Sequence, residues 1–550
     1  MNQQNTSGAA YVLWTPMAWT GMIYLPVRFL LLSLFLAGPG PLRGAGVIEA
    51  DVCVYGGTSG GVIAAVEAAR LGKSVSLVVF DQELGGLTAG GLGFTDVGDV
   101  KSIGGLAREF YGRVGRCYGK KEAFAFEPHV ARGVFDAWLK EAKIQPRYDQ
   151  RLVSVARNGK QISEIVMEDG TVFRAKVFID ATYEGDLLAK AGASFTFGRE
   201  GTNVYGESYG GIRGETSAHQ FSVDVDPYVI PRQPASGLLP LVQAGDGGTP
   251  GGGDVRIQAY NFRLCFTRNP TNRLPNVVPP NYNPARYELL GRLLDASAAA
   301  GRKLTIGSFF NMEPLPNGKM DINNNGPVST DFIGMNYTYP TNTYGARAKM
   351  QREHLEYIEG LIQYLATSPR SPSSLQAEMQ NWGPCKDEWP NAAGYPPAIY
   401  VREARRLVSD YVMTQADCQG TRVAADSICL GSYNMDSHNA QRLVQNGRVL
   451  NEGDVQIKVP IPYPISYRAI VPRAGECGNL LVTFALSASH TSFGSLRMEP
   501  VFMMIGQSAA TAAALAIDGH VPVQQVNYSK LAQQLKAGGQ ILVWDHGLQR

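Results

Sequence analysis

The chain has 550 residues, 44% hydrophobic and 18% charged, a balance ordinary for a folded protein and enough for roughly two to four domain-sized units. Its 50 basic and 48 acidic residues nearly cancel to +2, and no run of Lys or Arg tracks a phosphate backbone, which argues against nucleic acid as a partner. Seven widely spaced cysteines (Cys53, Cys117, Cys265, Cys385, Cys418, Cys429, Cys477) form no C-x-x-C pair, so most read as packing residues; Cys418 and Cys429 are a candidate bridge only if the chain is exported.

Residues 1–46 carry Arg28, the apolar run Phe29 to Ala37 and then AGPGPLRGAG, the charged, apolar and small-residue regions of a signal peptide. Export to a periplasmic or extracellular compartment is the expectation, with a start at Met17 or Met22 and no twin-Arg pair. The apolar run is shorter than the ~20 residues a spanning helix needs, and Pro16, Pro26 and Arg28 argue against an anchor.

From Asp51 the chain alternates as a βαβ unit: DVCVY as a strand, GGTSGG as a turn, VIAAVEAARLG as a helix with Gly72 at its end, and SVSLVV as a second strand. Ala64, Ala65, Ala68 and Ala69 give the helix a small-residue face for close packing on a parallel sheet. Between residues 147 and 182, Asn158-Gly159 and Asp169-Gly170 break three strands into two hairpins, the last strand ending VFID before Ala181-Thr182. Glycine- and proline-rich loops, with expected helices at 283–300, 345–366 and 396–413, mark an inserted α+β substrate domain over 216–455. The first domain then spans 47–215 and resumes over 456–550, where VFMMIGQSAATAAALAIDG is apolar nearly all round and should form a buried helix.

The dinucleotide fingerprint G-x-G-x-x-G lets a backbone approach a pyrophosphate at a helix N-terminus. Here Thr58 replaces the middle glycine, and the strand-turn-helix context supports the reading instead. At the position of the acidic residue that binds the adenosine ribose stands Val79; Asp81 reaches that place only if the strand ends in a bulge, and reads equally as a solvated turn residue. A second glycine-rich loop, LGGLTAGGLGFTD, directly follows.

The ordered strings GGTSGG, LGGLTAGG, SIGGLAREFY, VFIDATYEGDLLAKAG, GRE, YNFRLCFT, PNGKMDINN, STDFIG, YVREARRLV, YNMDSH and SASHTSFGSLRMEP resemble the FAD-dependent oxidoreductase family, common in bacteria and often exported, over about residues 48–540. The resemblance implies an α/β fold: a Rossmann-like, glutathione-reductase-like FAD-binding domain with a parallel sheet and the substrate region inserted. It implies non-covalent FAD, with Gly56, Gly57, Thr58, Ser59 and Gly61 at the pyrophosphate, Gly85, Gly86 and Thr88 towards the flavin, and Leu152 offering backbone contacts to adenine. Asp180, Ala181 and Thr182 would close the returning strand, and Gly506 with Gln507 would start the late helix facing the flavin carbonyl side.

For catalysis, the candidates are His490 and Arg497, beside the late helix, with Glu499 pairing or orienting Arg497, and His438 and Arg263 on the other wall of the pocket. A structural ion pair and a packed histidine compete with those roles. Asp436 and His438 lack further partners at metal-site spacing, PNGKMDINN reads as a turn rather than a calcium loop, and no metal is expected. Arg402, Arg405 and Arg406 read as an exposed, ion-paired helix face or as an anion clamp. The expected activity is oxidation of a small organic, saccharide-like substrate by hydride transfer to FAD, with an unspecified electron acceptor. Structural or electron-carrying FAD, and a non-redox hydrolase or lyase on the same fold, stand as alternatives.

Overall fold

A computed structural model describes residues 46–545, so the expected leader lies outside the described residues except for Gly46. The first apolar run forms β1 (Val47–Tyr55), whose last four residues are fully buried. Thr58 caps α1 (Ser59–Arg70) by accepting from the Gly61 amide at 3.1 Å, and Gly72 leaves the helix with φ +75°, the left-handed stop that glycine adopts without a steric cost. β2 (Val75–Val78) runs parallel to β1. Both predicted hairpins form, joining β3 (Leu152–Asn158), β4 (Gln161–Met167) and β5 (Val172–Asp180), and β5 returns parallel to β1 with Asp180 beside Tyr55. The sheet order is β2-β1-β5-β4-β3.

A second, antiparallel sheet contains β6 (Leu264–Thr267), β7 (Phe310–Leu315) and β8 (Lys319–Asn324) in the order β6-β8-β7. The helices α2 (Glu288–Ala299) and α3 (Tyr344–Thr367) occupy two of the three predicted stretches. They share an apolar core with Tyr287, Phe332, Tyr357 and Leu361, separate from the core around β1, β5 and α1. PNGKMDINN is the turn and second strand of the β7-β8 hairpin, with Asn317 at φ 61° and Asp321 committed to Arg263; it is not a calcium loop.

The third predicted helix, 396–413, does not form: residues 401–405 are irregular and Arg406–Leu407 pair with Phe195–Thr196. Its arginines are buried rather than displayed, and each reaches a carboxylate from elsewhere in the chain: Arg402 meets Asp331 at 2.8 Å, Arg405 meets Asp186 at 2.8 Å and Arg406 meets Glu200 at 2.6 Å. A buried guanidinium must be paired, and three partners in three directions override helical spacing.

Beyond the inserted elements come β9 (Met435–Ser437), antiparallel to β10 (Val455–Ile457), then β11 (Leu480–Val482), which joins the carboxyl half of β5 in parallel. The short α4 (His490–Leu496) precedes α5 (Glu499–Gly519). By length and composition α5 could cross a membrane, yet it is 94% buried as a core helix. It starts at Glu499, not at Gly506 and Gln507, which lie two turns inside. Gly506 lets α5 approach α1, since a Cβ there would run into the Gly60 carbonyl, while Gln507 accepts from the Leu106 amide at 2.9 Å. Cys418 and Cys429 are both buried and unbridged.

Candidate functional site

The first glycine turn is held down on the end of β5. Gly56 has φ +121°, and a Cβ there would stand 2.5 Å from the Ala181 carbonyl carbon. Thr58 donates its hydroxyl to the Ala181 carbonyl at 2.7 Å. Asp180 accepts from the Thr182 amide and hydroxyl and from the Leu188 amide, and burial pushes its carboxyl up to about 6. Gly56, Gly57, Thr58, Ser59, Gly61, Asp180, Ala181 and Thr182 are thereby gathered at the positive end of α1, whose first amides have no intrahelical acceptor. The second loop is tied to the first by the Gly85 amide donating to the Gly57 carbonyl at 2.6 Å, with Gly85 and Gly86 at φ +89° and +54°.

Glu499 does not pair with Arg497. Its buried carboxylate accepts from Ser59 Oγ at 2.5 Å, Thr88 Oγ1 at 2.6 Å and Tyr183 OH at 2.7 Å, locking the start of α5 to both glycine loops. Burial raises its affinity for a proton despite these donors. The hydroxyls of Ser59 and Thr88 are thus committed to Glu499, and the turn offers a ligand its amides.

Val79 is buried, and its amide donates to the Arg147 carbonyl at 2.8 Å, so it contributes no acidic group. Asp81 accepts from the Glu83 amide at 2.9 Å as a turn residue and also lines the cleft beside Gly57, Thr58 and Gly86. Burial, reinforced by the carboxylates of Glu83, Glu184 and Asp149, pushes Asp81 up to about 7. Across the cleft, Glu184 holds Tyr339 through Oε1, while Oε2 is buried without a partner. The Leu152 amide, the expected adenine contact, instead donates to Tyr55 OH at 3.1 Å and Tyr344 OH at 3.3 Å, because α3 brings Tyr344 over the end of β3.

A polar cavity of about 240 Å³ opens beyond the second loop. Two strand pairs build it. Asp436 on β9 faces Gln456 on β10, and Asn311 on β7 faces Asn323 on β8; His438, two residues after Asp436, returns to the same side. Asp96 enters from the second glycine loop. Arg497 donates to the Asp436 carbonyl at 3.0 Å, to its carboxylate at 2.9 Å and to Tyr400 OH at 2.8 Å. Tyr400 packs with Leu87 and Leu92, so Arg497 links the Asp436 wall of the cavity to the second loop.

His490 does not reach this cavity. Its Nδ1 bonds Glu403 at 2.8 Å and its Nε2 bonds Ser437 at 3.0 Å, and burial with Arg406 and Arg199 nearby pushes its pKa down to about 3. It is a sealed structural histidine. Arg263 lies behind the wall, bonded to Asp321 at 2.8 and 2.9 Å and within 3.3 Å of Asp96, which it positions. His438 lines the cavity with Nδ1 2.8 Å from Asp331. Sequence reasoning passed over Asp331, Asp96 and the paired asparagines; only the Asp436-x-His438 alternation signalled this face. Among the described residues one group has metal-ligand proximity, Glu127, His129 and Asp387, and the Lys319 ammonium already binds it at 2.7 Å from Glu127 and 2.9 Å from Asp387.

The family model described as FAD dependent oxidoreductase matches residues 51–535. No curated protein matches the chain. Solved structures similar to parts of it include the 3-ketosteroid-delta4-(5alpha)-dehydrogenase from Rhodococcus jostii RHA1, 17% identical over 26% of this chain and 49% of that one, TM-score 0.19. A flavin-containing monooxygenase from Stenotrophomonas maltophilia is 16% identical over 28% and 43%, TM-score 0.20. A geranylgeranyl bacteriochlorophyll reductase-like protein from Thermoplasma acidophilum is 10% identical over 90% and 85%, TM-score 0.34. The chain spans about half the length of the first of these.

The residues fit FAD: the positive end of α1 would suit a pyrophosphate, and Asp81 with the unpartnered Glu184 Oε2 would offer acceptors to ribose hydroxyls.

Proposed function

The chain belongs to the FAD-dependent oxidoreductase family, and from that premise we propose that it oxidises a small polyhydroxylated substrate held in the Asp96-Asp436-His438 cavity. The observation that carries this reading is the cavity's amide lining. Asn311, Asn323, Asn324, Asn325, Asn434 and Gln456 set side-chain amides around it; Asn323 and Asn324 each spend acceptor capacity on Asn261 and Arg402, Asn325 bonds Gly307 and Gly326, and the N–H groups and lone pairs left over match hydroxyl groups, which also donate and accept. Asp96 and Asp436 add acceptors for hydroxyl protons, and no Lys or Arg among the described lining residues favours an anion. A volume of about 240 Å³ suits a compound smaller than a typical drug.

FAD supplies a two-electron acceptor for hydride. The chain's own residues hold the substrate through the cavity's amides and orient it against Asp436, itself fixed by Arg497. The proposed compartment is outside the cytoplasm, on the strength of the charged, apolar and small-residue pattern of residues 28–46.

The test is anaerobic bleaching of the purified yellow protein by aldoses, cyclic polyols, hydroxy acids and amines. Bleaching by the first two groups is expected. Bleaching by amines or acids alone rejects the substrate class, and bleaching by nothing in the panel rejects the reading.

A further inference from the structure

We propose that His438 is the group that accepts the substrate's hydroxyl proton, with Asp331 as its positioning residue; this rests on the reading of the cavity as the substrate site. Two histidines line that cavity, His219 and His438. Asp331 accepts from His438 Nδ1 at 2.8 Å, which fixes the proton on Nδ1 and leaves the Nε2 lone pair on the cavity side. The nearest carboxylate oxygen to Nε2 is that of Asp436, 3.7 Å away. That spacing is too long for a direct hydrogen bond and sets two acceptors side by side at the cavity wall, close enough for one hydroxyl oxygen in the cavity to lie within hydrogen-bond reach of both. A substrate hydroxyl there donates its proton to Nε2.

Behind His438 the chain of contacts continues inward. Arg402 lies 2.8 Å from the second oxygen of Asp331 and stacks over Tyr400 at 4.8 Å from the ring centroid. Against the opposing effect of burial, Arg402 and His438 hold Asp331 below the usual carboxylate range, so it stays an anion and an acceptor. The groups facing His438 are Asp331, Asp436 and Asp454, Arg402 and the stacked ring of His219. Burial and Arg402 act against a proton on His438 and the carboxylates outweigh them, leaving it a stronger base than a free imidazole.

In the step, the substrate O–H bond breaks and its proton goes to Nε2. With FAD bound as the two-electron acceptor, the adjacent C–H bond would break with its electron pair leaving as hydride to that acceptor, and the carbon–oxygen double bond would form. The proton then leaves Nε2 for solvent through the cavity mouth. Asp331 touches no substrate; it sets the tautomer and basicity of His438.

The test labels the holoenzyme with diethyl pyrocarbonate across the neutral pH range and reads each histidine peptide by mass spectrometry. His438 should be acylated with a midpoint above that of a free imidazole, and His490 should be spared throughout. Asp331→Asn should move the His438 midpoint to lower pH with flavin absorbance retained, while the melting temperature falls because the buried Arg402 loses its carboxylate; the midpoint shift, not the melting temperature, reads the positioning role. His438→Gln should slow flavin reduction by about 100-fold or more with flavin content unchanged. Protection of His438 at every pH, a midpoint unmoved by Asp331→Asn, or wild-type reduction in His438→Gln overturns the proposal. Because labelling needs no substrate, it decides the state of His438 even if no panel compound bleaches the flavin, an outcome that counts against the substrate reading instead.

Discussion

Replacing Gly61 with alanine adds one methyl at the most constrained point of the cofactor cradle. That methyl would drive into the Gly56 carbonyl oxygen and stand 3.1 Å from the Ala181 Cβ. Neither neighbour has room to yield. The Gly56 amide is bonded to Val78 O at 2.8 Å, and Gly56 already lies against the Ala181 backbone. Overpacking of this kind costs about 1–3 kcal/mol, and the rigid backbone on both sides places Gly61→Ala at about 3, roughly a 100-fold loss of the cofactor-competent state. The harm comes from the methyl itself, so the smallest substitution should suffice. The control is Gly133→Ala, an exposed position inside the helix Pro128–Glu141 with no atom within 4 Å of the new Cβ, where the same change should stabilise by about 0.5–1 kcal/mol. Flavin-to-protein absorbance and thermal unfolding of the three proteins read the result. Wild-type flavin content and melting temperature in Gly61→Ala would refute the reasoning.

Three further outcomes follow from the same contacts. Glu499→Ala leaves the buried hydroxyls of Ser59, Thr88 and Tyr183 without their acceptor, at about 1–3 kcal/mol each, so the melting temperature and flavin content should fall together, with Glu499→Gln intermediate. Asp81 has a folded pKa of about 7 against an ordinary 3.8, so its contribution to apoprotein stability is full below 3.8 and lost as pH rises through 7. Asp81→Asn should therefore flatten the melting temperature across that window, and an unchanged slope would show that Asp81 is not the titrating group. His490→Gln should lower stability by disturbing the Glu403 contact but leave the pH profile of flavin reduction unmoved; a shifted profile would return His490 to the mechanism.

The cofactor half was legible because its determinants are local. The run DVCVY, the glycines of the turn and the two Asx-Gly hairpins each specify their own conformation within a few residues. The late helix was recognisable from an apolar surface on every side, but its start was not. Gly506 stood as the helix start, and its reason for being glycine is the carbonyl of Gly60, over four hundred residues away in sequence. The stretch around Arg402, Arg405 and Arg406 was misread because helical spacing is local, whereas the carboxylates that bury those arginines come from three distant segments. His490 drew notice through sequence proximity to α5, and His438 is the one the fold sets on the cavity wall, since burial is set by tertiary packing that no window contains. The asparagine wall was hidden for the same reason: Asn311 and Asn323 become neighbours only across a strand pair.

The central claim is that the substrate is oxidised in the Asp96-Asp436-His438 cavity. Anaerobic flavin bleaching by the most effective panel compound, compared between wild type and Asn434→Trp, tests it most directly, because the indole occupies a cavity whose lining includes no residue of the first glycine turn. The account predicts full flavin content in the variant with bleaching slowed at least tenfold at equal substrate. Bleaching at the wild-type rate would place the substrate elsewhere and contradict it.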